Sequence, residues 1–194
     1  MDSGIPASLL AVAIGLGLAA ATGLRVFVPL LAVSIGAATG HMHLAPGFEW
    51  IGSTPAIVTF ASATVFEVLG YSIPWMDHLL DVVATPAAIL AGSLAMASVL
   101  PDLPPFARVG LALIAGGGAA GVVQGATVVA RLKSTALTGG LGNPLVAAAE
   151  LVGAVAGSAL ALLAPLLWLG LLAALCVAAF LLGGRFVFGR RRVR

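Results

Sequence analysis

Four of the seven acidic residues in this chain, Glu67, Asp77, Asp81 and Glu150, stand inside or beside its most apolar stretches. A charged side chain in hydrocarbon costs about 2.5–3.5 kcal/mol on insertion scales, so such groups pair, reach water or bind something. Asp77 and Asp81 are four residues apart, which places them on one helix face with His78 beside it. Two carboxylates so spaced can share a proton or hold a hard cation. They are the candidate metal pair, with a divalent cation as the cofactor. The plainer alternative is a solvated amphipathic turn at the membrane interface. Glu67 lies before Pro74, and a chain turned back there brings Glu67, Asp77 and Asp81 to one depth. Glu67 could instead reach the interface alone. Glu150 sits among Ala147, Ala148, Ala149 and Leu151, about 10 Å into a helix opened by Asn143-Pro144. An isolated glutamate there suits a proton-coupled site or a hydrogen bond between helices. Arg25, embedded between apolar runs, is the counter-charge expected for Glu67, because pairing offsets the desolvation of both groups.

Other chemistries are weakly supported. His41 and His43 could begin a metal site, but no third ligand is evident. The Asp77-to-Asp81 spacing occurs in membrane enzymes that hold diphosphate through magnesium, yet the second acidic motif of those enzymes is missing. No serine–histidine–acid set, zinc-protease helix or phosphate loop is present. The only cysteine, Cys176, lies in an apolar helix, so neither a disulfide nor a thiolate metal site can be built.

The elements that must position these residues are membrane helices. The chain is 61% hydrophobic and 8% charged, with a mean hydropathy of +1.16. Soluble domains average about 25% charged residues, so this chain could not cover a water-facing surface. Ile5 to Thr22 and Val26 to Ala38 are apolar runs separated at Gly23–Arg25. One helix through both would be about 51 Å long, too long for about 30 Å of hydrocarbon. Either two helices join tightly here or one is a re-entrant half-helix. The first run follows no basic region and is read as retained rather than as a signal peptide. Ser53-Thr54-Pro55 predicts a capped helix start, with that helix ending near Gly70. The segment from Pro74 to Ala84 is read as a polar amphipathic piece. A new helix is expected at Thr85-Pro86, reaching Leu100. Another runs from Phe106 to Ala130, relaxed by Gly116, Gly117, Gly118 and Gly121, residues that suit close packing in lipid. Ser134 to Asn143 is read as non-helical. Helices then follow from Asn143 and from Pro165.

Five of the nine basic residues fall in the last ten positions, and Arg131 and Lys133 form a second basic pair. The positive-inside rule puts both groups in the cytoplasm. Arg108, expected on the outer side with His41, His43, Glu49 and Asp102, mildly violates it. The tail is read as an anchor near anionic lipid, and no nucleic-acid partner is expected, since no folded basic module accompanies it. A weak echo links Thr22-Gly23-Leu24-Arg25 with Pro29 to Thr138-Gly139-Gly140 with Pro144. Broken helices in repeated positions mark transporters.

Three segments together resemble a bacterial membrane family, domain of unknown function 4126. They are GLAAATGLRVFVPL from Gly17, EVLGYSIPWMDHLLD from Glu67 and STALTGGLGNPLVAAAE from Ser134. The resemblance covers nearly the whole chain. It implies that Arg25, Pro29, Glu67, Pro74, Asp77, Asp81, Asn143, Pro144 and Glu150 belong to the family's pattern. It implies no activity and no substrate.

The expected fold is all-α: a polytopic membrane protein of six or seven membrane segments with broken or re-entrant half-helices. Residues 1–188 form one transmembrane domain and 189–194 a basic cytoplasmic tail. The preferred reading is a transporter or channel of the bacterial inner membrane, not an enzyme, carrying protons, cations or a small solute. Its site residues are Arg25, Glu67, Asp77, Asp81, Asn143 and Glu150. The alternatives are a magnesium-dependent enzyme or flippase acting on a lipid phosphate at the cytoplasmic face, and a structural subunit. The expected partners are the bilayer and further copies of the chain.

Overall fold

A computed structural model of the chain describes residues 6–71, 73, 76–100 and 103–189, without the side chains of residues 77, 78 and 179–189. Among the described residues there are seven helices and no strand. They are α1 (Ala7–Thr22), α2 (Phe27–Ala38), α3 (Thr54–Gly70), α4 (Met76–Ser98), α5 (Pro105–Thr138), α6 (Asn143–Leu163) and α7 (Pro165–Gly189). A 3-10 turn, Glu49–Gly52, precedes α3. Segments of α4, α5 and α6 (Leu79–Ser98, Pro105–Thr138 and Asn143–Leu163) are long and apolar enough to cross a membrane, while α1, α2 and α3 are shorter apolar helices. These are the marks of a membrane protein.

The breaks expected at Gly23–Arg25 and after Gly70 are present. Ser53 caps α3 by accepting from Ala56 N, with Pro55 in the first turn. Two boundaries differ from expectation. No new helix starts at Thr85-Pro86: α4 runs unbroken through Pro86. Proline is tolerated inside membrane helices where neighbouring helices support them. Pro86 removes the N–H that would bond Val82 O; the helix continues because Ala88, Ala91 and Ala95 bury the following turns in the core. The stretch from Ser134 is also helical as far as Thr138. Within it, Gly139 and Gly140 take left-handed backbone, with φ of +63° and +92°, and Gly139 ends the helix. The two breaks of the sequence echo therefore differ, since Gly23 is right-handed, with φ −71°.

Glycine sets the closest helix contacts. A Cβ on Gly92 of α4 would lie 2.5 Å from Ala120 Cβ and 3.0 Å from Gly116 O of α5. α5 relaxes there into a π-helical stretch, Ala112–Gly117. Trp168 of α7 wedges against Gly17 of α1 and Gly157 of α6, and its indole N–H donates to Gly17 O at 3.1 Å. Such bare-backbone approaches replace the hydrophobic drive that lipid does not supply.

The ends of α2 and α4 and the start of α5 meet around the loop after α2. Ala45 N donates to Ser98 O at 2.7 Å, and the Arg108 guanidinium donates to Pro46 O at 3.3 Å over the Phe48 ring. Arg108 is thus no exposed flank charge; it is buried and ties α5 to that loop. His41, His43 and Glu49 share this end. The end of α1, the start of α2, the end of α3 and the start of α4 gather toward the opposite end.

Candidate functional site

Five charged side chains from five places in the chain converge inside the bundle, near the end opposite the Arg108 tie. Arg131 lies seven residues before Thr138 and Glu150 seven residues after Asn143, each about 10 Å from its helix end. That shared depth lets them meet. Arg131 Nε donates to Glu150 Oε1 at 3.0 Å and Nη2 pairs with Oε2. Arg131 and Glu150 are 2% and 5% exposed. The two-point fork is the strong form of the arginine–carboxylate contact. Arg131 Nη1 also faces Asp81 Oδ1 at 3.6 Å.

Arg25 enters from the break between α1 and α2. Its Nη2 donates to Ala147 O at 2.8 Å and lies 3.7 Å from Glu150 Oε2. Nε and Nη1 are buried without a hydrogen-bond partner among the described residues. Tyr71, just past α3, organises both cations. The guanidinium carbons of Arg25 and Arg131 lie 4.2 Å and 3.9 Å from its ring centre, within cation–π range. Its hydroxyl donates to Asp81 Oδ1 at 3.2 Å.

Glu67 does not form the expected ion pair with Arg25. Its carboxylate instead caps α2, accepting from Val26 N at 2.8 Å and from Phe27 N at 3.2 Å. The first N–H groups of a helix lack intrahelical partners and carry partial positive charge. A carboxylate arriving from the last turn of α3 satisfies two of them, one with each oxygen.

Of the residues singled out from sequence, Arg25, Glu67, Asp81 and Glu150 are brought together. Glu150 is not isolated, because Arg131 holds it. Asn143 stands about two turns nearer the α5–α6 loop than Glu150, where its amide donates to Thr135 Oγ1 at 2.9 Å. The side chain of Asp77 lies outside the described residues. No group of three metal-ligating side chains occurs among the described residues, and Asp81 is engaged by Tyr71 and Arg131. His41 bonds Thr39 Oγ1 through Nδ1 at 2.9 Å.

Two members were missed from sequence. Arg131 reads as half of a basic flank with Lys133, but it is buried while Lys133 is exposed. Its signal is the apolar run Val128-Val129-Ala130 directly before it. Tyr71 reads as part of a helix break; being the chain's only tyrosine, between Glu67 and Asp81, is its signal.

Helices able to cross a membrane, joined at breaks that surround a buried charge cluster, define a helical membrane protein with an internal polar site. The chain belongs to the family described as domain of unknown function (DUF4126), whose model matches residues 12–185. No curated protein and no solved structure matches it.

Proposed function

We propose that this protein is a small integral-membrane transporter or channel whose site is the cluster of Arg25, Glu67, Asp81, Arg131 and Glu150. One observation carries the reading: two nitrogens of the buried Arg25 guanidinium have no hydrogen-bond partner among the described residues. An unsatisfied buried donor costs about 1–3 kcal/mol, more when charged. A cluster that only braced helices is expected to match nearly all such donors. Unmatched donors of this kind mark a place where water or a ligand is received. Helix breaks beside the cluster fit this, since transporters place their sites at interrupted helices.

In this reading all seven helices cross or enter the bilayer. The cluster end, with Arg25, Arg131 and Lys133, faces the cytoplasm by the positive-inside rule. The engagement of Asp81 by Tyr71 and Arg131 weighs against a magnesium-holding aspartate pair. The test is flux in proteoliposomes loaded with pH-, sodium-, divalent- and potential-sensitive dyes. Wild type should carry an ion that Glu150→Gln, melting as a folded protein, carries at least about tenfold more slowly, the scale expected from about 1.4 kcal/mol of lost interaction. Folded wild type that moves no ion, or a variant matching it, overturns the proposal.

A further inference from the structure

We infer that the cluster takes a small carboxylate anion between Arg25 and the N-terminus of α2, with Glu67 as the internal carboxylate that holds the place and leaves by taking up a proton. This deepens the transport reading and rests on it for movement across the membrane, though not for binding.

Glu67 itself shows what the site accepts. Its two oxygens take the N–H groups of Val26 and Phe27, one each. A planar carboxylate therefore fits the start of α2, where the positive end of a twelve-residue helix favours an anion. The second observation is independent. Arg25, the residue before Val26, is 2% exposed, and its Nε and Nη1 have no partner among the described residues. Its bonded Nη2 is directed to Ala147 O. Arg25 also interacts electrostatically with the Glu67 carboxylate seated at the start of α2, so the unused cationic donors lie near the positive end of α2, and Glu67 hydrogen-bonds only the latter.

Charge decides the coupling. Glu67, Asp81 and Glu150 oppose Arg25 and Arg131, an excess of one negative charge among the described side chains. Adding an anion would double that excess inside an apolar bundle, where repulsion is poorly screened. A proton from water placed on a Glu67 carboxylate oxygen restores the balance. Once neutral, that carboxyl is a weak acceptor, releases Val26 N and Phe27 N, and yields them to the incoming anion. One proton is then taken up with each anion. The titratable and charged groups that face Glu67 are Arg25 from the α1–α2 break, Tyr71 and Glu150 from α6. α2 carries no charged side chain, and α4 contributes Asp81, held through Tyr71.

The test is calorimetric titration of the purified full chain in detergent with sodium acetate and sodium formate, against sodium chloride at equal ionic strength. It is run at mildly acid and neutral pH, in buffers of different ionisation heat. Wild type should bind acetate or formate with uptake of a single proton, and affinity should rise by up to about tenfold per unit of falling pH. Glu67→Gln should still bind but take up no proton. Arg25→Lys should bind at least about tenfold more weakly, since a point charge replaces the planar donor set. If Glu67→Gln does not fold, Glu67→Asp serves, and its shortened tether should strengthen anion binding. Folded wild type that binds neither anion at either pH overturns the inference, as does proton uptake unchanged in the Glu67 variant. Absent binding with Glu150-dependent flux intact removes this inference and leaves the transport reading. Binding without flux does the reverse.

Discussion

At the scale of residues, the Arg131–Glu150 fork is the most consequential contact. Taking two charges out of water is costly, and their mutual attraction offsets that cost only while both are present. Arg131→Leu should therefore destabilise the protein by about 3 kcal/mol, because the buried Glu150 loses both bonds of its fork and keeps only Arg25, 3.7 Å away. The double variant Arg131→Leu/Glu150→Leu should recover most of that loss in denaturation measurements in detergent, yet carry no flux. A double variant as unstable as the single one would show that the pair is needed for the fold itself. Tyr71 adds a second kind of support. Its ring faces both guanidiniums and its hydroxyl reaches Asp81, so one side chain links α3, α4, α5 and the α1–α2 break.

At the scale of elements, the cluster depends on how closely α4 and α5 approach. Gly92→Ala should cost about 1–3 kcal/mol by overpacking, because the new methyl would meet Ala120 Cβ at 2.5 Å and Thr22 Oγ1 at 2.9 Å. Gly125→Ala in α5 has nothing within 4 Å of its added methyl, and it should be neutral or stabilising by up to about 1 kcal/mol. Comparing the two melting temperatures checks whether glycine here serves contact or only composition. The continuity of α4 through Pro86 belongs to this scale as well. Taken locally, a proline after Thr85 announces a helix start. Within the bundle, the burial of Ala88, Ala91 and Ala95 carries the helix across it.

At the scale of the whole molecule, the cluster lies at one end of the bundle and the Arg108 tie at the other. His41 and Leu141 are exposed at opposite ends. In a Cys176→Ser background, a cysteine at Leu141 should be labelled by an impermeant thiol reagent only from the cytoplasmic side, and one at His41 only from the other. Labelling of both from one side would refute the proposed topology. Much of this arrangement was legible in the sequence. Low charge and long apolar runs define the membrane class, because hydropathy is a local sum. The breaks at Gly23 and Gly139, the Ser53 cap and the suspicion attached to Arg25, Glu67, Asp81 and Glu150 are local as well: each rests on a residue and its immediate neighbours. The partners were not legible. Glu67 bonds Val26, 41 positions away, and Arg25 bonds Ala147, 122 positions away. Arg131 holds Glu150 where sequence reads a basic flank. A charge in an apolar run announces that it needs a partner. Which partner it finds depends on helix depth, on glycine contacts that bring backbones together and on competition among donors, and only the packed bundle decides these.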